Sequence, residues 1–205
     1  MLAHDKATAR KCLVRAVYGD SAITVYQAYP KAIAERAVRA GTFVAPFKRE
    51  RMTWIKPSFL WMMYRSGWAS KPGQERVLAI EITREGFEWA LGHAALSHFD
   101  HTLHPNERTW RSELRESPVR IQWDPERSIT LEPLTARAIQ VGLSGEAVDR
   151  YVDDWVTGIT DITDFVHEVH SDVTKGRTAE AVSKLPAERY YPLPEEIRQR
   201  VRADG

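Results

Sequence analysis

Between Phe47 and Arg76 the chain reads FKRERMTWIKPSFLWMMYRSGWASKPGQER. These thirty positions hold three of the seven tryptophans, Trp54, Trp61 and Trp68, and seven lysines or arginines. Core helices keep cations on the solvent side of an amphipathic pattern. Here Lys56 and Arg65 are interleaved with rings and methionines instead. Flat rings stack on bases, while Arg and Lys meet phosphates. The block is therefore a candidate nucleotide site, with Arg51, Lys56 and Arg65 as phosphate partners and Trp54 and Trp68 as stacking surfaces. A buried aromatic helix with a basic shoulder would have the same composition.

Other chemistries have weaker signals. No Gly-rich loop ends in Lys-Ser/Thr, no GxGxxG follows a strand, and no serine sits in a GxSxG elbow. His167 and His170 are three apart, one short of the HExxH spacing, with no third ligand in view. His98, His101 and His104 recur every third residue beside Pro105 and Asn106, as a polar loop does, so no metal is expected. In VRIQWDPER, Arg120, Gln122, Asp124 and Glu126 alternate along a strand, and Asp124-Pro125 reads as the turn that ends it. Cys12 could act as a nucleophile only if something lowered its pKa, which the adjacent sequence does not show.

The elements that must position the block follow from turn and cap signals. Leu13–Tyr18 and Ile23–Tyr29 read as strands around the turn Gly19-Asp20-Ser21. Pro30 opens a helix through Ala40, and Gly41 stops it. Ser58 precedes a second helix from Phe59 to Tyr64 or Arg65 that is apolar nearly all round. A glycine-containing loop runs from Ser66 to Glu75, a strand covers Val77–Ile82 and a helix Glu85–Leu96. Val119–Trp123, Ile129–Leu134 and Ala138–Leu143 are three further strands. Gly145 to His170 reads as one long acidic helical region, most simply a solvated face. The expected fold is α+β: one domain over residues 12–185, with a mixed or antiparallel β core flanked by helices. Residues 1–11 are expected to form a flexible arm. Residues 186–205 are expected to form a proline-rich tail with a short helix.

The whole chain narrows the classes. Its 205 residues suit one sizeable core, and 43% hydrophobic with 28% charged residues is ordinary globular composition. A net charge of +1 creates no global field toward nucleic acid or membrane, so any anion site must be local. One cysteine excludes an internal disulfide framework and leaves cysteine-based zinc motifs without partners. No apolar run reaches the roughly 18 residues of a spanning helix, and the first residues carry charges where a signal peptide is apolar. A cytoplasmic protein without membrane partners is expected.

The segments ITVYQAY, FKRERMTWIKPSFLWMMYRSGW, KPGQERVLAIEI, VRIQWDPER and IQVGLSGEAV together resemble the DUF4291 family over roughly residues 12 to 170. More remotely, YQAY followed by a helix and a glycine stop resembles the opening of ADP-ribosyltransferase-like domains. Ser58 to Tyr64, the loop to Arg76 and the strand VLAIEI follow the order of those domains' second NAD-contacting element. This likeness implies an ADP-ribosyltransferase-like fold with NAD as substrate. It implies that Gln27 stands at the ribose-holding position, Tyr64 at the nicotinamide-stacking position, and Gln140 near the late-strand glutamate. Arg15 is an alternative first-motif residue. Glutamine is no carboxylate, and stabilises the cationic charge that develops as nicotinamide leaves far less well than glutamate. Glu132 is a candidate substitute.

Two functions follow as expectations. One is a protein that binds NAD or an ADP-ribose-like nucleotide and transfers ADP-ribose to a nucleic-acid or protein acceptor. In that reading Arg51, Lys56 and Arg65 meet the pyrophosphate, Gln27 and Ser58 hold ribose, and Tyr64 or Trp54 stacks on a ring. The alternative is a non-catalytic single-stranded RNA-binding module that stacks bases on Trp54 and Trp68. A third reading makes the aromatic block simply core.

Overall fold

Along strand β2 (Ala22–Tyr29) the alternation is complete: Ile23, Val25 and Gln27 point into one buried layer, and Tyr26 and Ala28 into another. A strand covered on both faces carries apolar residues on both, and Gln27 is the polar exception. The computed structural model describes residues 12–102 and 104–204. The arm expected over residues 1–11 lies outside the described residues.

β2 pairs antiparallel with β4 (Arg76–Thr83), which pairs antiparallel with β8 (Val156–Asp161). A second sheet runs β3–β7–β6–β5, from Thr53–Ile55, Pro133–Leu143, Val119–Arg127 and Ala94–Leu96. Its pairs are antiparallel except β5 with β6, which is parallel. The sheets meet where the Tyr26 amide donates to the Lys56 carbonyl at 2.7 Å, just beyond the end of β3. A short pair, β1 (Arg15–Ala16) with β9 (Arg189–Tyr190), closes the chain ends. The architecture is mixed α+β with eight α-helices among the described residues.

The main core joins Leu78, Ile80 and Ile82 of β4 to Ile121, Val141 and Leu143 of the second sheet, all at most 1% exposed. A smaller core gathers Phe59, Met62 and Met63 of helix α2 (Phe59–Ser66) with Val166 and Val169 of α6 (Thr163–Thr174). Helix α1 (Lys31–Ala40) starts after Pro30 and ends at Gly41, whose φ of 69° is the left-handed conformation glycine adopts without penalty.

Several elements differ from the sequence reading. Gly145–His170 is not one helix. Helix α5 (Glu146–Arg150) widens into a five-residue π-helix, Tyr151–Trp155, and the chain then forms β8 before α6 begins. Val156, Thr157, Ile159 and Thr160 are β-branched, and pairing with β4 outweighs the helical appearance of the surrounding acids. Helix α3 (Arg84–Gly92) stops four residues early, and Ala94–Leu96 becomes β5 beside β6. Ile129 to Glu132 forms a turn, with Leu131 at φ 65°, so two expected strands become the single long β7. Helix α4 (Glu107–Glu116), capped by Asn106, was not anticipated. The segment beyond Leu185, expected as a proline-rich tail with a short helix, contains that helix and two further features. After α7 (Thr178–Lys184) it supplies β9, buries Tyr191, and packs α8 (Glu195–Val201) on α3.

The π-helix is seated by a close approach. A Cβ added at Gly86 of α3 would lie 2.3–2.7 Å from ring atoms of Trp155. Alanine normally favours a helix over glycine by about 1 kcal/mol, but here overpacking opposes that gain. Gly86→Ala is expected to lose roughly 1–3 kcal/mol in urea unfolding. An unchanged or raised midpoint would mean Trp155 does not press on α3.

Candidate functional site

Trp54 is where the local folding of the aromatic block becomes visible. β3 pairs with the end of β7, placing Trp54 opposite Gly142, the one residue type whose missing side chain leaves room for the indole. The Trp54 carbonyl then accepts two buried donors: Gln27 Nε2 at 3.1 Å and Lys56 Nζ at 3.0 Å. Gln27 Nε2 also donates to Thr53 Oγ1 at 2.7 Å, and Tyr151 from the π-helix donates its hydroxyl to Gln27 Oε1 at 2.8 Å. Tyr29 reaches Thr53 Oγ1 at 3.0 Å. Burial raises the Tyr29 and Tyr151 hydroxyls above the ordinary phenol range, so both are neutral.

This network floors a cleft of about 560 Å3. Gln27 and Tyr29 line it from β2, Trp54 and Lys56 from β3 and its end, and Arg65 from α2. The loop Pro72–Gln74 closes another side, and Gln122 and Gln140 form the far wall. Those two glutamines face each other across β6 and β7 and clamp one carboxylate. Gln140 Nε2 donates to Asp124 Oδ2 at 2.6 Å, and Gln122 Nε2 to Asp124 Oδ1 at 3.0 Å.

Lys56 is the unusual group. It is 6% exposed, and its Nζ stands 5.6 Å from the Trp61 ring centroid. Desolvation first, and the positive charge of Arg65 second, push its pKa down to about 7, while Asp124 opposes them. A cleft with a buried amine, an exposed guanidinium, an indole and several amides suits a polar, anionic ligand with a flat ring.

Of the residues singled out from sequence, Gln27, Trp54, Lys56, Arg65 and Gln140 converge here. The others stand elsewhere, each for a physical reason. Tyr64 lies outside the cleft, 40% exposed, with the Arg127 guanidinium 3.5 Å from its ring centroid. The neighbouring α2 position, Arg65, faces the cleft instead, as a 3.6-residue period requires. Trp68 is 5% exposed and stacked on His170 at 5.2 Å, so it offers no open face to a base. Arg51 is exposed in the turn before β3 and does not line the cleft. Glu132 is exposed in the β6–β7 turn. Gln27 lines the cleft, but both its amide hydrogens are taken by protein, which leaves it a structural anchor rather than a ribose donor.

Ser58 and Arg15 belong to a second cleft of about 430 Å3 across α2. Ser58 Oγ caps α2 by accepting from the Trp61 amide, and donates to Glu126 Oε1 at 2.8 Å. Phe59, the first residue of α2, donates its amide to Glu188 Oε1 at 2.6 Å. Arg15 bonds the Glu188 carbonyl at 3.4 Å. Burial, with repulsion from Glu126, pushes Glu188 up to about 7, against the opposing amide bond and Arg15.

Asp124, Gln122, Thr53 and Tyr29 escaped the sequence reading. The one signal was the period-two run Arg120, Gln122, Asp124, Glu126. It was broken by reading Asp124-Pro125 as a turn, whereas β6 continues to Arg127. Among the described residues no group of three His, Cys, Asp or Glu side chains could hold a metal ion, and no helix is long and apolar enough to cross a membrane.

The raised Glu188 makes stability depend on pH. Its folded pKa of about 7 exceeds its ordinary 4.5, so the folded state binds the proton more tightly. That contribution is complete below pH 4.5 and is lost as pH rises through 7. Glu188→Gln keeps an acceptor for the Phe59 amide and has no proton to lose. It is expected to flatten the decline of unfolding free energy between pH 4.5 and 7, and to exceed the wild type at pH 8 by up to roughly 3 kcal/mol. Parallel pH profiles for the two proteins would show that the carboxyl is not buried in the folded state.

A comparison with curated proteins finds no match. Residues 13–191 match the model of a family described as a domain of unknown function, DUF4291. By that match, which spans most of the chain, the protein belongs to the DUF4291 family.

Proposed function

We propose that the cleft binds NAD or a related ADP-ribose-containing nucleotide, and that the protein transfers ADP-ribose to a nucleic-acid or protein acceptor within an ADP-ribosyltransferase-like fold. The observation that carries this reading is the convergence of Trp54, Lys56, Arg65, Gln122 and Gln140 on one polar cleft, with the Asp124 carboxylate held behind the two glutamines and close enough to act on Lys56. Arg65, exposed at the rim, meets the pyrophosphate, and Trp54 offers a ring. The remote family likeness supports the same reading.

The clamp answers the chemical difficulty left by Gln140. When the bond between the ribose C1 and nicotinamide breaks, its electron pair goes to the ring nitrogen and neutralises the pyridinium. Positive charge develops on the ribose, the acceptor's oxygen or nitrogen bonds to C1, and the acceptor releases a proton. A carboxylate held by two amides is already oriented and needs no reorganisation to face that charge. Asp124 is that carboxylate, and Gln140 is the residue that positions it. The single-stranded RNA reading has less to stand on, because Trp68 is covered.

Isothermal calorimetry with NAD and ADP-ribose tests binding, and release of nicotinamide tests the chemistry. Arg65→Met is expected to weaken binding at least tenfold, while Tyr64→Ala stays within twofold. Asp124→Asn is expected to keep its affinity and lose nicotinamide release by about a hundredfold or more, the scale of one well-placed electrostatic group. No heat with either nucleotide at millimolar concentration would refute the reading.

A further inference from the structure

Lys56 is a buried amine with no carboxylate in contact among the described residues. Its backbone is pinned by the Tyr26 amide, and its Nζ donates to the Trp54 carbonyl. The charged groups facing it are Arg65, from α2, and Asp124, from β6. Asp124 makes no ion pair with Lys56; its carboxylate oxygens accept instead from Gln122 and Gln140. A lysine placed to neutralise a structural charge would have a carboxylate in contact, as Lys184 has in Asp172 at 2.7 Å. Lys56 instead borders an open cleft beside a second cation.

From this geometry we infer that Lys56 is a nucleophile, and that the cleft forms an imine with ligands that carry both an aldehyde and a phosphate group. Arg65 holds the phosphate, since a guanidinium is charged at any ordinary pH and matches phosphate oxygens. The Lys56 nitrogen attacks the carbonyl carbon, and the carbonyl oxygen leaves as water with the two amine hydrogens. Amine and aldehyde thus give imine and water with no change of oxidation state. An ordinary lysine is only about 0.1% neutral at pH 7.4. The burial and neighbouring charge that bring Lys56 down to about 7 make most of its amine neutral at that pH. Open-chain sugar phosphates belong to this ligand class, as does free ADP-ribose in its ring-opened form.

The inference does not depend on NAD being the ligand, and its test is separate. The intact protein is incubated at pH 7.5 with pyridoxal 5′-phosphate, reduced with borohydride, and mapped by peptide mass spectrometry. Lys56 is expected to be modified at least ten times faster than Lys31, whose side chain is 75% exposed. Pyridoxal without phosphate is expected to react at Lys56 at least tenfold more slowly, and inorganic phosphate to protect it. Lys56→Arg, checked for folding by circular dichroism, should lose that adduct only. Modification spread over the exposed lysines with Lys56 untouched overturns the inference, as does equal reaction with pyridoxal. Labelling of Lys56 in a protein that binds neither NAD nor ADP-ribose would overturn the nucleotide reading alone. Nucleotide binding with Lys56 unlabelled would overturn this inference alone.

Discussion

The hydrogen bonding of one buried amide, Gln27, holds the two larger sheets in register around the cleft. Its two N–H groups join β2 to Thr53 and to the Trp54 carbonyl, and its oxygen takes the Tyr151 hydroxyl from the π-helix. Three separate parts of the chain meet at one side chain that is 3% exposed. An apolar residue of similar size would pack, but would leave the Tyr151 hydroxyl and Thr53 to find new partners in a dry interior. Unpaired buried polar groups cost about 1–3 kcal/mol each. The π-helix begins at Tyr151, which turns toward this junction, and ends at Trp155, which lies against Gly86.

That Gln27 is an amide and not a carboxylate also sets the electrostatics. Gln27 and Lys56 donate to the same carbonyl oxygen. A glutamate at position 27 would bring a negative charge beside the Lys56 amine and satisfy it internally. With a neutral amide there, the carboxylate influencing Lys56 is Asp124, whose oxygens are bound by two other amides. The site therefore keeps its charges apart: amine and guanidinium toward β3 and α2, and the carboxylate behind the two glutamines of β6 and β7. In a protein whose net charge is +1, such separation creates a local field that bulk composition does not reveal.

What could be read from the sequence followed the range of each signal. Local signals held: Gly41 ended α1, Ser58 capped α2, and the strands around YQAY and VLAIEI formed where alternation and turn residues placed them. The aromatic block delivered Trp54, Lys56 and Arg65 to one cleft, because β3 and α2 are close in sequence and their geometry is short-range. Non-local pairing defeated it elsewhere. β8 exists because β4 offers an edge, and Ala94–Leu96 is a strand because β6 lies beside it. Asp124 is held in part by Gln140, sixteen positions later and across a hairpin. Tyr64 and Trp68 show the converse: a ring's type is visible in sequence, but the face it presents depends on Arg127 and His170, which are remote from it in the chain.

Helix α2 divides the two clefts, and its ends are held differently. The first turn is held by Ser58, Glu126 and the buried Glu188 carboxyl, all bordering the second cleft. Its last turn carries Arg65 into the first cleft, and Lys71 binds the Tyr64 and Arg65 carbonyls. Eight residues span about 12 Å, the distance that separates the two clefts along α2. The same strand, β6, supplies Gln122 to one cleft and Glu126 to the other. Protonation of Glu188 relieves its repulsion from Glu126 while keeping the Phe59 amide bonded, so the seating of α2 is firmest when that carboxyl is neutral. Arg65 and the Glu188 carboxyl thus stand at opposite ends of one short helix, each lining a different cleft.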